Sequence, residues 1–153
     1  MQIQGQYILP APPDRVWQVL LDPDVLRTCL PGCQELRVVG NDEYAATLSI
    51  GMGGIRGTYR GSVVVVDKKQ FESYQLEVRG GATSGTIAAT GRVELAPSDD
   101  RTLVRYTGDY RVAGGIAGIG QRLFQPVAQT IASQFFRCIE QRLSSGDAPD
   151  KPG

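Results

Sequence analysis

The side chains able to do chemistry are few in kind: six tyrosines, three cysteines, sixteen carboxylates and sixteen cations, with no histidine. Without histidine there is no Ser-His-Asp or Cys-His nucleophile, no His-ligated zinc and no imidazole pH switch. Cys29 and Cys33 stand four apart and Cys138 stands alone, so no second pair completes a metal-binding set and no metal site is expected. The odd count, in a chain expected to stay in a reducing compartment, reads as thiols rather than bridges. Tyr44, Tyr59, Tyr74, Tyr106 and Tyr110 fall in phase with apolar neighbours, so each is either a core aromatic with a wet tip or a polar handle inside an apolar interior. Glu77, Arg92, Asp109 and Arg111 take the opposite phase and read as charge pairs on a sheet surface. General acid–base catalysis needs a titratable group in a pocket, and the inward phases supply only tyrosines. No enzyme and no catalytic residue are expected.

Two glycine-rich stretches raise other chemistry. Arg56 lies in Gly51-Met52-Gly53-Gly54-Ile55-Arg56-Gly57, where it is either a solvated loop charge or a gate and partner contact. Gly115-Ile116-Ala117-Gly118-Ile119-Gly120 precedes a helix, but its spacing is neither GxGxxG nor GxxxxGK[ST], and no βαβ unit surrounds it, so no phosphate site is expected. Ile116, Ile119, Leu123 and Phe124 beside those glycines read as an apolar gate or a membrane-touching lip, with a plain connector as the alternative.

The elements that must position these residues follow from periodicity. Turn signals recur about every ten residues with alternation between them, giving strands over 3–9, 35–39, 43–51, 57–65, 74–79, 85–95 and 104–112. Two short helices follow the first strand: Pro12-Pro13-Asp14 opens one carrying Val16, Trp17, Val19 and Leu20, and a second covers 23–29. Leu30-Pro31-Gly32-Cys33 is a turn. From 120 to 143 the period becomes helical, through Leu123, Val127, Ile131, Phe135, Cys138 or Ile139, and Leu143. Pro126 should kink this helix or mark its true first turn. One sheet with one wet face must bury the other, and only the long helix can cover it. The expected fold is α+β: a curved seven-stranded antiparallel sheet around a long C-terminal helix, the helix-grip architecture. It forms one domain over 1–143 with a disordered polar tail over 144–153.

Length and composition agree. A chain of 153 residues supports one domain that buries about 70% of its unfolded surface. Zero net charge argues against nucleic acid as a partner and against simple adhesion to anionic lipid. No run approaches the length of a membrane span, and the N-terminus lacks the charged and apolar regions of a signal peptide. A cytoplasmic chain is expected.

Glycine is the outlier, at 19 residues. Gly57, Gly61, Gly85, Gly91 and Gly108 share the inward phase with Ala46 and Ala89. Either they let the sheet bend and the helix approach, or they leave a void, and a retained apolar void suits a ligand. The expected cavity lining is Leu26, Leu30, Leu48, Tyr59, Leu76, Ile87, Val93, Tyr106, Tyr110, Leu123, Phe124 and Val127.

Several motifs then carry a resemblance: Gly5-Gln6-Tyr7, Ala11-Pro12-Pro13-Asp14-Arg15-Val16-Trp17, Leu21-Asp22-Pro23 and Cys29-Leu30-Pro31-Gly32-Cys33. Ile50-Gly51, Ile55 to Gly61 and Gly115 to Arg122 add to it. Together they resemble the CoxG family of carbon monoxide dehydrogenase proteins over residues 2–143; the Ala-Pro piece is shared more loosely across the START/Bet v 1-like superfamily. The resemblance implies a non-catalytic accessory protein of a molybdenum-containing dehydrogenase, associated with docking that enzyme at the inner face of the cytoplasmic membrane. It also implies a cavity for menaquinone, ubiquinone or a lipid as cargo rather than cofactor. Longer members carry a C-terminal linker with a membrane-associating helix, whereas only a polar stretch follows Leu143 here, so any membrane contact is expected to be transient. A ligand-free docking adaptor acting through Arg56, Arg60 and the 28–34 turn is the alternative. A cyclase or hydrolase built on Tyr44 and Tyr106 is a third.

Overall fold

In the computed structural model, residues 2–52, 55–82, 85–114 and 121–144 are described, with side chains for all of these except 52, 55 and 121–124. The chain opens with strand β1 (Gln2–Leu9), which Pro10 and Pro12 end. Helix α1 (Pro13–Leu20) follows, with Pro13 in its first turn, where no N–H is needed. It buries Val16, Trp17 and Leu20. Helix α2 (Pro23–Cys29) has the expected bounds, because the Asp22 side chain caps it by accepting from the Asp24 N–H at 2.9 Å.

The turn after α2 needs a glycine. Gly32 has φ +74°, and a Cβ there would collide with the Ser49 carbonyl. The Gly32 carbonyl accepts the Ser49 N–H at 2.8 Å, which ties the turn to the sheet.

Strands β2 (Cys33–Gly40), β3 (Glu43–Met52), β4 (Ile55–Lys69), β5 (Ser73–Ala82), β6 (Gly85–Ser98) and β7 (Arg101–Ala113) complete one antiparallel sheet of seven strands in the order β1-β7-β6-β5-β4-β3-β2. Irregularities between Cys33 and Glu35, Val38 and Gly40, and Val66 and Lys69 break the register, and such breaks bend and twist a sheet. Alternation is as expected: on β7, Val104, Tyr106 and Tyr110 are buried while Arg105, Thr107 and Arg111 are exposed.

Helix α3 (Gln121–Ser144) crosses the inner face. Pro126 stands at its sixth position, inside the helix rather than in its first turn, so the carbonyl of residue 122 receives no helical N–H. The expected apolar stripe is partly displaced. Val127, Ile139 and Leu143 are buried, but Phe136 is buried where Phe135 was expected, and Ile131, Phe135 and Cys138 are half-buried. A helix gripped by a curved sheet meets apolar partners on more than one side, so a single stripe underdescribes it.

The main core joins α1 and the lower half of the sheet to the second half of α3; Leu9, Val16, Leu20, Val104 and Ile139 are its most deeply buried apolar residues. Thr102 is buried there, and its hydroxyl donates to the Ala11 carbonyl at 2.7 Å. The expectation of three thiols is corrected: Cys29 and Cys138 form a disulfide with a Cα–Cα distance of 5.4 Å. The end of α2 lies on α3 and brings together residues 109 apart in sequence, which neither count nor spacing could reveal. Cys33 stays a thiol.

Candidate functional site

The inner face divides into two apolar clusters. The first is the main core, which includes Val93 and Tyr106. The second is smaller: Tyr59, Tyr110 and Val127, with Ile50, Ile87, Val112 and Ile131 against them. It lies toward the end of the sheet where α3 begins. Between the clusters runs one cross-strand row, Ile3–Gly108–Gly91–Leu76. Its two central members have no side chains.

The glycines in this inward phase do not share one cause. A Cβ at Gly61 would sit 2.6 Å from the Arg79 carbonyl, so this glycine serves the close approach of β4 to β5, not a void. A Cβ at Gly91 would meet only the Thr107 carbonyl, at 3.5 Å, and one at Gly108 would meet Ile3 at 3.4 Å. A side chain at either position would thus meet only ordinary contacts, unlike one at Gly61. On the outer face, the same pair floors a polar hollow of about 320 Å³ that includes Gln4, Gln75, Arg92 and Asp109.

Above the glycine row, α3 presents a polar seam. Tyr110 Oη donates to Gln125 Oε1 at 2.7 Å, Tyr106 Oη to Gln129 Oε1 at 3.3 Å, and Tyr7 Oη to Ser133 Oγ at 3.1 Å. Gln125 Nε2 in turn donates to the Gln2 carbonyl at 2.7 Å. Positions 125, 129 and 133 recur every four residues, so they share one helix face. Tyr7, Tyr106 and Phe136 stack, with ring centroids 4.8 to 6.3 Å apart, and close the lower side. A Cβ at Gly5 would enter the Tyr106 ring, so Gly5 gives that ring its place.

Burial pushes the phenols of Tyr106 and Tyr110 above their ordinary value, so both remain neutral donors at neutral pH. A site built this way offers apolar walls, small residues in the middle and neutral hydrogen-bonding groups along one side.

Of the expected lining residues, Tyr59, Ile87, Tyr110 and Val127 gather in the second cluster. Val93 and Tyr106 lie in the first, with Leu26, Leu30 and Leu76 packed against it. Leu48 is half-buried opposite Tyr59 on the neighbouring strand. The side chains of Leu123 and Phe124, and residues Ile116 and Ile119 entirely, lie outside the described residues. Arg56 is exposed on β4.

Two tyrosines expected as handles sit elsewhere. Tyr44 donates to the Leu21 carbonyl at 3.4 Å, and Tyr74 is buried edge-on to Trp17 with centroids 5.5 Å apart. Tyr7, Gln125, Gln129 and Ser133 were missed. Their signal was faint: polar residues every four positions on a helix read as its solvent face.

The fold defines the class: a START-like helix-grip architecture. A START superfamily protein from Mycobacterium smegmatis superposes with a TM-score of 0.74 at 11% identity, over 94% of this chain and 97% of that one. The protein Ara h 8.0201 does so at 0.70 and 15% identity, over 95% and 98%. A conserved protein from Geobacillus kaustophilus is 34% identical, with a TM-score of 0.91 over 95% of this chain and 97% of its own. Residues 5–144 match the model of the CoxG family, named as a subunit of carbon monoxide dehydrogenase, and the chain belongs to that family. No curated protein matches it. Among the described residues, no helix is long and apolar enough to cross a membrane.

Proposed function

We propose that this protein is a non-catalytic carrier that holds a prenylated quinone, or a lipid of similar build, between the sheet and the first half of α3. It serves a molybdenum-containing dehydrogenase of the carbon monoxide dehydrogenase type and links that enzyme to the membrane. The observation that carries the reading is the Gly91–Gly108 row separating two apolar clusters beneath neutral phenol and amide groups. The apolar clusters suit an isoprenoid chain, and burying each CH₂ is worth about 0.8 kcal/mol before costs. Tyr110, Gln125, Tyr106 and Gln129 suit carbonyl oxygens of a head group. Membership of the CoxG family supports the partner. The chemistry of a cyclase or hydrolase finds less support: Tyr44 and Tyr106 stand on β3 and β7, with three strands between them, and burial holds both phenols protonated.

Equilibrium binding of a short-chain menaquinone tests the carrier. The parent protein should bind at micromolar concentration or tighter. Gly91→Leu should bind at least about tenfold more weakly while staying folded, because its Cβ meets only ordinary contact. A parent protein that takes up neither quinone nor lipid would overturn the reading. The Tyr7–Tyr106–Phe136 stack favours a second one, a packed adaptor without cargo. Recovery of the dehydrogenase with an empty partner would support it.

A further inference from the structure

We propose that the arginine rim at the α3 end of the sheet is a docking surface for an anionic membrane; its purpose, though not its chemistry, rests on the carrier reading. Arg56 and Arg60 on β4, Arg79 on β5 and Arg111 on β7 are all exposed and share the outward phase. Arg79 and Arg111 flank Ala88 in one cross-strand row, about 10 Å apart by two strand spacings. Arg60 opposes Gly81, two rows nearer the rim.

Across 48–52, 55–62, 79–82, 85–88 and 110–114 there is no aspartate or glutamate. Among the described residues, none of the four arginines enters an ion pair; the ion pairs belong to Arg27, Arg37, Lys68 and Arg92. The nearest carboxylates along these strands are Glu77 and Asp109, two residues below Arg79 and Arg111.

The opposite end has the contrary character. Asp42, Asp67, Glu72, Asp99 and Asp100 sit at or beside its hairpin turns, with Lys68, Lys69 and Arg101 among them. The zero net charge therefore conceals a separation of charge along the molecule, and the sequence-based case against binding anionic lipid does not hold for the rim.

Between Arg79 and Arg111 lies a cleft of about 520 Å³ lined further by Gly80, Thr86, Ile87, Ala88, Val112 and Ala113, of which Thr86, Ala88 and Ala113 share the outward phase of the arginines. Guanidinium groups flanking a floor of the small residues Ala88 and Ala113, with the Thr86 hydroxyl beside them, fit a phospholipid head: the forks take phosphate oxygens and the alanines take the adjoining carbons. Ile87 and Val112 line this cleft but take the inward phase and pack against the second apolar cluster, so the rim and the candidate site meet at these two residues. That continuity favours a membrane over an acidic protein as the occupant.

Co-sedimentation of the full chain with vesicles tests the proposal, using phosphatidylcholine alone or with about one-third phosphatidylglycerol. Binding should require the anionic lipid and fade by about 0.5 M salt. The combined Arg60→Ala, Arg79→Ala and Arg111→Ala variant should bind at least about tenfold more weakly. Arg101→Ala at the opposite end should bind like the parent. A thermal midpoint close to the parent's shows that the triple variant folds; if it does not, Arg111→Glu alone should show the same loss. Equal binding to neutral vesicles, or a triple variant that binds like the parent, would overturn the proposal. So would a parent that ignores vesicles while the variant loses the dehydrogenase in a pull-down, which would make the rim a protein interface. Detergent-dispersed menaquinone is measured on the same variants: retained quinone binding with lost vesicle binding supports docking, and vesicle binding without quinone binding refutes only the carrier.

Discussion

At the scale of single residues, two glycines of the same inward phase do opposite things. Gly61 permits backbones to approach, so Gly61→Ala pushes a methyl against the Arg79 carbonyl and should cost about 1–3 kcal/mol. Gly91→Ala meets no such obstacle and should change stability by less than about 1 kcal/mol. Urea unfolding of the pair separates the two causes. The sequence shows both glycines in phase but not the carbonyl that distinguishes them.

The tyrosines carry a pH signature. Burial raises the phenols of Tyr44, Tyr74, Tyr106 and Tyr110 above the ordinary value near 10. An unfolded chain then releases these protons before the folded one does. Stability should hold from neutral pH to about 10 and fall as pH rises beyond it, toward the folded values. Urea midpoints from pH 7 to 11 check this, and Tyr74→Phe should flatten the fall. Stability that instead declined below pH 9 would require another group.

At the scale of elements, the strands were legible because alternation writes one buried and one wet face directly into the chain, as on β6 from Thr86 to Leu95. The α2 bounds were legible because Asp22-Pro23 is a cap and a first turn. The face of α3 was only half legible. Val127, Ile139 and Leu143 follow the helical period, but Gln125, Gln129 and Ser133 face tyrosines rather than water, and only the sheet opposite decides that.

The link between α2 and α3 was not legible at all. Cys29–Cys138 closes a loop of over a hundred residues, so reduction should destabilise the fold by about 2–4 kcal/mol. Denaturant unfolding with and without reductant measures this. Cys138→Ser should remove the response to reductant, whereas Cys33→Ser should leave it intact.

At the scale of the whole molecule, the sheet curls around one helix and divides its interior at Gly91–Gly108, while its charge divides between an arginine rim and acidic turns. Architecture was legible in the order of elements. The division of charge was not, because composition sums over the chain and only topology assigns each residue to an end. The central claim is that the divided interior carries a hydrophobic molecule. It is tested most directly by native mass spectrometry, with organic extraction, of protein purified from its own host. The account predicts a prenylated quinone or lipid at close to one per chain, absent from Gly91→Leu. Protein that is repeatedly recovered empty, and stays empty after incubation with quinone and lipid, would contradict it.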